Sequence, residues 1–166
     1  MTGVQTCALP ISLVPFTAPH NPFQAKNESY ELFANEPDHA KRTYKAMIHS
    51  LDAAVGRILD TLDRLGIANN TMVVFASDNG AATFLGVPTN APLKSGKFTY
   101  FDGGLRVPCA LRFPRAVAAG QVFNKPISLV DFFSTFASSA SVPLVPGLAR
   151  SEERRVGKEC RSRRLA

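Results

Sequence analysis

Asp78, Asn79 and Lys97 are the residues of this 166-residue chain whose types and spacing point to chemistry. Asp78-Asn79-Gly80 closes the apolar run Met72-Val73-Val74-Phe75-Ala76. A buried strand that ends on Ser77-Asp78 presents a carboxylate and an amide oxygen at its carboxyl end, where open α/β sheets place their ligand sites. Two adjacent oxygen donors suit a hard divalent cation such as Ca²⁺ better than a soft one. Eighteen residues past Asn79 comes Lys97, in Leu93-Lys94-Ser95-Gly96-Lys97, followed by Phe101-Asp102-Gly103-Gly104-Leu105-Arg106-Val107-Pro108. A pair of metal donors followed by a lysine next to glycine is a donor set for a tetrahedral oxyanion ester.

The elements that must position these groups alternate along the chain. Residues 12–16 are short and apolar and predict a buried strand; residues 17–24, with Pro19, His20 and Pro22, predict the loop that leaves it. A helical turn is expected over residues 28–33. The clearest element is a helix over residues 38–65. Tyr44, Met47, Ile48, Leu51, Ala54, Val55, Ile58, Leu59, Leu62 and Leu65 recur there at steps of three and four, and Lys45, Asp52, Arg57, Asp60, Asp63 and Arg64 fill much of the other face. Asp38 suits its N-cap and Gly66 its C-terminal stop. Strands are expected over residues 71–77, 107–113 and 127–130, and a helix capped by Asp131 runs on to Ala140. Residues 78–104 lack periodicity and are punctuated by Gly and Pro, and loops of that length inside compact domains are usually functional or disordered. The order predicts an α/β fold, a sheet layered with helices.

The two ends carry a different signal. Residues 1–11 resemble the translation of a short-read sequencing adapter, and residues 150–163 resemble its companion, so the natural segment is expected to be residues 12–149 and both ends are set aside from fold reasoning. This changes the charge argument. The chain is +6 overall, but seven basic and three acidic residues lie from Arg150 onward, leaving twelve basic and ten acidic residues in 12–149. The pI near 9.6 therefore does not argue for a nucleic-acid or membrane-surface partner. Cys7 and Cys160 fall in the adapter-like ends, and Cys109 alone says nothing of redox compartment. No run approaches the ~20 apolar residues of a membrane span.

Five segments, in order, resemble the sulfatase family of the alkaline-phosphatase-like superfamily. They are Ala18-Pro19-His20-Asn21-Pro22-Phe23; residues 47–62 with Leu51-Asp52 and Val55-Gly56-Arg57-Ile58-Leu59; Phe75-Ala76-Ser77-Asp78-Asn79-Gly80; Pro92-Leu93-Lys94-Ser95-Gly96-Lys97 through Gly103-Gly104-Leu105-Arg106-Val107-Pro108; and Ile127-Ser128-Leu129-Val130-Asp131. The resemblance covers nearly all of residues 12–149 and implies a partial sulfatase domain, a mixed sheet layered with helices. It implies that Asp78 and Asn79 are two ligands of an active-site Ca²⁺. It implies that Lys97 contacts the sulfate oxygens and that His20 lies near the leaving-group oxygen, so both count as catalytic and substrate-binding residues. The chemistry suits these types: a metal and a fixed ammonium stabilise the charge spread over a sulfuryl group in transfer, and imidazole can protonate a leaving alkoxide near neutral pH. The implied substrate is a small sulfate ester or a sulfated glycan, and the implied setting of the parent protein is secreted, periplasmic or lysosomal.

The chain departs from the family pattern at Phe98, where a small residue is usual, and at Asp102, where Glu is favoured. Family members also carry an upstream Cys-x-Pro-Ser-Arg segment, whose Cys or Ser becomes the formylglycine nucleophile, and an upstream acidic pair that completes the calcium site. Neither occurs in residues 1–166: Cys7 is followed by Ala8-Leu9-Pro10 and Cys109 by Ala110-Leu111. The expectation is a fragment that does not turn over substrate and holds Ca²⁺ weakly, since Ca²⁺ takes about six to eight oxygen ligands.

Plainer roles stand beside each of these. Asp78-Asn79-Gly80 alone is a turn, because Asn-Gly favours positive φ. Lys97 alone is a solvated loop lysine, and His20 between prolines is a loop histidine bonded to backbone. His39 and His49 read as structural or solvent-exposed, Asp52 as a helix-face ion-pair residue, Arg106 as a donor to loop carbonyls, and Phe132, Phe133 and Phe136 as core. Two other functional readings remain. A phosphatase, phosphodiesterase or phosphonate hydrolase of the same superfamily would often carry His where Asn79 stands, since imidazole suits Zn²⁺ or Mn²⁺. A non-catalytic fragment with a basic tail would bind nucleic acid only through charge.

Overall fold

The computed structural model describes residues 11–143, which fall in two compact units, Val14–Ala119 and a second that includes residues 11–13 and 120–143. Residues 1–10 and 144–166, which hold the adapter-like ends apart from Ile11, lie outside the described residues.

The first unit is organised by two helices and a two-stranded sheet. Helix α1 (Asn27–Glu31) packs on the long helix α2 (His39–Arg64). Both ends of α2 are fixed as the sequence predicts. Asp38 stands at the N-cap, its carboxylate accepting hydrogen bonds from Ala40 N–H (2.9 Å) and Lys41 N–H (3.1 Å). At the other end Gly66 takes φ 69°, a left-handed conformation that costs a residue without Cβ little. Gly66 N–H donates to Asp63 O and Ile67 N–H to Leu62 O, the paired bonds of a Schellman stop.

Arg42 clamps α1 to α2. Its guanidinium lies 3.8 Å from the Tyr30 ring centroid, Nε donates to Tyr30 O (2.9 Å) and Nη2 to Glu31 Oε2 (2.9 Å). Ser29 and Ser50 share a hydrogen bond of 3.0 Å. His39 and His49 are structural here: His39 Nδ1 meets Tyr30 Oη at 2.8 Å, and His49 Nδ1 meets Ser29 Oγ at 3.3 Å while its ring meets Phe33 edge-on. Asp52 makes no ion pair among the described residues, contrary to expectation: Ile48, His49, Val55 and Gly56 occupy the helix positions three and four away, and none is a lysine or arginine.

The start of α2 carries a pH dependence. The Lys41 and Ala40 amides hold the Asp38 carboxyl below its ordinary value of 3.8, and the hydrogen bond from Lys45 holds Glu36 below 4.5. Both folded values are depressed, so the stabilisation is present above the unfolded values and is lost as pH falls through the folded ones. Helical circular dichroism is therefore expected to decline on acidification below the ordinary carboxylate range. Asp38→Asn, which keeps a capping oxygen but cannot titrate, should weaken that decline.

Strand β1 (Val73–Ala76) pairs antiparallel with β2 (Cys109–Arg112), in the register Val73↔Arg112, Val74↔Leu111, Phe75↔Ala110 and Ala76↔Cys109. Arg112 Nη2 donates to Asp63 Oδ1 (2.8 Å) and Arg115 Nη1 to Asn70 Oδ1 (2.7 Å), tying β2 and its exit to the end of α2 and the turn that follows it. The fold is α/β as predicted, with two of the expected strands in place. Residues 12–16 are not a buried strand: they form no regular element, and Leu13 is 88% exposed. A strand exists through the neighbour that satisfies its backbone, and no described strand pairs with them.

In the second unit, helix α4 (Asp131–Ser139) is preceded by a turn rather than the expected strand over residues 127–130: Asp131 N–H donates to Ser128 O and Phe132 N–H to Leu129 O. Asp131 is the first helical residue, not the cap, and its carboxylate accepts from Ser128 N–H (2.7 Å). Phe132 and Phe136, four apart, share a face with ring centroids 5.9 Å apart, whereas Phe133 points elsewhere and is exposed rather than core. No helix among the described residues is long and apolar enough to cross a membrane.

Candidate functional site

The site is built on the exit of β1. Asp78 and Asn79 follow directly on the strand's carboxyl end, with Asp78 exposed and Asn79 half-buried. Ser77 Oγ donates to Asn79 O (2.9 Å), which turns the backbone there. Ser77 N–H donates to Pro108 O and Gly80 N–H to Gly104 O, so two hydrogen bonds beyond the ladder tie the exit of β1 to the chain that leads into β2.

Four glycines let the loop fold back on itself. A Cβ on Gly80 would sit 1.8 Å from Gly103 O, and one on Gly103 would sit 2.2 Å from Ser95 O. Gly96 approaches Ala81 O and Gly104 approaches Thr99 O as closely. Gly103 N–H donates to Lys94 O (2.9 Å), and the short helix α3 (Asp102–Leu105) grows from that contact. Lys97 is placed by its own backbone: its N–H donates to Ala81 O (2.9 Å), two residues past Asn79.

Asn90 completes the frame, and sequence reasoning missed it. Its amide nitrogen donates to Ser95 O (2.8 Å) and, at 3.4 Å, to Ala81 O; its oxygen accepts from Ala81 N–H (3.1 Å). One asparagine in an aperiodic loop gives no signal that it bridges two strands of that loop. Asn90→Leu is expected to cost about 2 kcal/mol, since it leaves part-buried backbone groups unpaired. Amide exchange at Ala81 and Lys97 should rise accordingly, while α2 keeps its protection.

The chain brings His20 to Lys97 across 77 residues of sequence: Lys97 Nζ lies 3.3 Å from His20 Nε2. A turn closed by His20 N–H on Thr17 O presents the ring. His20 Nδ1 lies 2.6 Å from Asn21 O. A carbonyl only accepts and an ammonium only donates, so Nδ1 carries the proton and Nε2 offers its lone pair to Lys97. The backbone bond thus sets the tautomer that faces the lysine. Arg106 lies 3.8 Å from the Asp102 carboxylate instead of bonding the loop carbonyls expected of it, because the one-turn helix α3 sets the two residues on one face.

Asp78 and Asn79 offer hard oxygen donors, and neither side chain is engaged by another group among the described residues. Their chemistry fits Ca²⁺, but they supply two of about six to eight ligands. No group of three or more His, Cys, Asp or Glu side chains among the described residues could hold a metal ion. Cys109, opposite Ala76 in the sheet, is no nucleophile by its environment: although exposed overall, its thiol is partly shielded, and that burial pushes it up and keeps it protonated.

Comparison with known proteins agrees with the sequence motifs. A family model described as Sulfatase matches residues 11–142. A sulfatase of Formosa agariphila is 37% identical over 118 residues, which are 66% of this chain and 21% of that protein. Human steryl-sulfatase is 38% identical over 119 residues, 68% of this chain and 20% of that protein. Among solved structures, Ps i-CgsB in complex with k-i-k-neocarrahexaose superposes with a TM-score of 0.73 at 36% identity, covering 82% of this chain and 29% of that one. The chain thus spans about a fifth of the length of the curated relatives it matches.

Proposed function

The chain belongs to the sulfatase family, and from that premise we propose that it is a segment of a sulfuric ester hydrolase carrying part of the sulfate-holding and calcium-holding site. The observation that carries this reading is the pairing of Lys97 Nζ with His20 Nε2, on a loop bonded two residues past Asp78-Asn79. Lys97 supplies a fixed positive charge for the ester's terminal oxygens. His20, with its Nε2 edge turned to the same place, is set to bind the ester and, on taking up a proton at Nε2, to pass it to the departing oxygen. Asp78 and Asn79 would hold Ca²⁺, which when bound adds positive charge where the transferring group is most negative. Asn79, an amide where Zn²⁺-using relatives place imidazole, favours sulfate esters over phosphate esters.

The nucleophile and the remaining calcium ligands are assigned to parts of a longer protein. Apolar residues on the outside support that assignment. Ile48 on α2, Leu65 at its C-terminal cap, Phe75 on β1 and Leu111 on β2 are all exposed, as expected of faces that further elements cover. The substrate class that fits is a sulfated carbohydrate, supported by the oligosaccharide in the similar complex. The test is to extend the gene in both directions from this segment in its source DNA. An upstream Cys-x-Pro-Ser-Arg, or its Ser form, with an acidic pair supports the reading. An upstream Thr or unmodified Ser, with added His and Asp ligands, replaces it with phosphoryl transfer.

A further inference from the structure

Phe84 and Phe98 form an aromatic surface beside the lysine, and the function proposed above does not use it. Their rings stack with centroids 5.6 Å apart and planes 25° apart, yet Phe84 is 61% and Phe98 83% exposed. Apolar rings left in water forgo the gain of burial. Phe98 also takes φ 70°, a left-handed backbone that bulky residues rarely adopt. Strain of this kind persists where the surroundings enforce it and clusters at ligand sites. The surroundings do enforce it: Lys97 N–H is bonded to Ala81 O before Phe98, and Thr99 N–H to Gly96 O after it. The Phe98 ring centroid lies 5.4 Å from Lys97 Nζ, so the apolar face and the cation are neighbours.

We propose that the Phe84–Phe98 pair is a stacking platform for a pyranose ring whose sulfate ester lies on Lys97, an assignment that rests on the sulfate-site reading above. A sugar presents a flat C–H face for an aromatic ring and keeps its hydroxyls in water on the other face. That suits an open platform, whereas a flat apolar aglycone asks for an enclosing pocket. Two surface hollows, of about 390 and 280 Å³, lie elsewhere, around Tyr44 with His49 and around Phe23 with Thr43. The exposure of both rings makes the platform an open one, and the adjacent ammonium matches an anionic substituent rather than a neutral one.

The experiment is an NMR titration of the 166-residue chain with three probes: inorganic sulfate, a disaccharide bearing one sulfate ester, and the same disaccharide without sulfate. The sulfated disaccharide is expected to bind about tenfold more tightly than inorganic sulfate, with shifts at the Phe84 and Phe98 rings. Phe98→Ala should remove that advantage and leave inorganic sulfate affinity as it was, and Phe98→Trp should restore it. Phe84→Ala, which leaves the residue at the strained position 98 unchanged, should weaken saccharide binding in the same direction. Equal saccharide affinity in wild type and both alanine variants overturns the platform, as does a wild-type chain whose Phe84 and Phe98 rings do not respond to saccharide. Ring shifts that depend on protein concentration alone also overturn it, in favour of a second copy of the chain. If Lys97→Ala leaves both saccharides bound as before while Phe98→Ala releases them, the sulfate-site reading fails and the platform stands.

Discussion

Replacing Gly80 with alanine is expected to dismantle the loop that carries Lys97 while leaving α2 intact. The new methyl group would sit 1.8 Å from Gly103 O, a backbone atom that cannot swing aside as a side-chain end can. Gly103 cannot retreat either, since its own Cα faces Ser95 O and its N–H is bonded to Lys94 O. The clash must therefore be relieved by parting residues 78–81 from 103–104, which breaks the Gly80 N–H bond to Gly104 O. Overpacking of this kind costs about 3 kcal/mol or more, a shift of roughly a hundredfold in the open fraction. Hydrogen exchange reads this locally. The amides of Gly80, Lys97 and Gly103, all bonded in the loop, should exchange at least about tenfold faster in Gly80→Ala, while amides of α2 keep their rates. Unchanged exchange at these three amides would mean that the glycine packing does not hold the loop.

Lys97→Ala is expected to abolish recognition of sulfate. The ammonium is the cation set against His20 Nε2, and hydrogen bonds to charged groups contribute about 1.5–3 kcal/mol each, or roughly 10- to 100-fold in affinity. The His20 ring resonances supply the readout. In the wild-type chain, sulfate should move them, because the anion competes for the ammonium that lies on Nε2. In Lys97→Ala the response should vanish. Lys97→Arg should recover only part of it, since a planar guanidinium does not reproduce a point charge on a flexible stem. A sulfate response that survives Lys97→Ala would place anion binding elsewhere.

The long helix was legible because its information is local. The apolar stripe fixes the face, Asp38 the start and Gly66 the stop, and each acts within a turn or two of itself. β1 was legible for a similar reason, an apolar run ended by Ser77-Asp78-Asn79-Gly80, although the ladder is shorter than the run. Residues 12–16 misled because apolar composition was read as burial, and a strand depends on a partner that its own residues do not specify. Phe133 misled likewise: it lies about 100° round the helix from Phe132, at the edge of the face that Phe132 and Phe136 share, and it is exposed. The loop over residues 78–104 gave no periodic signal, because its shape comes from carbonyls resting on Gly80 and Gly103 and from Asn90 reaching Ala81 and Ser95. No spacing rule brings His20 to Lys97; the family resemblance named both, and the structure sets them 3.3 Å apart.

If these residues belong to a site for sulfate esters, paired ester hydrolysis by the full-length protein will show it. The gene extended from this segment would be expressed and assayed on an aryl sulfate and on the matching aryl phosphate under one set of conditions with Ca²⁺, for wild type and Lys97→Ala. The kcat/KM for the sulfate is expected to exceed that for the phosphate by about a hundredfold or more, and Lys97→Ala to remove most of the sulfate activity. Preference for the phosphate ester, or sulfate hydrolysis indifferent to Lys97→Ala, would contradict it.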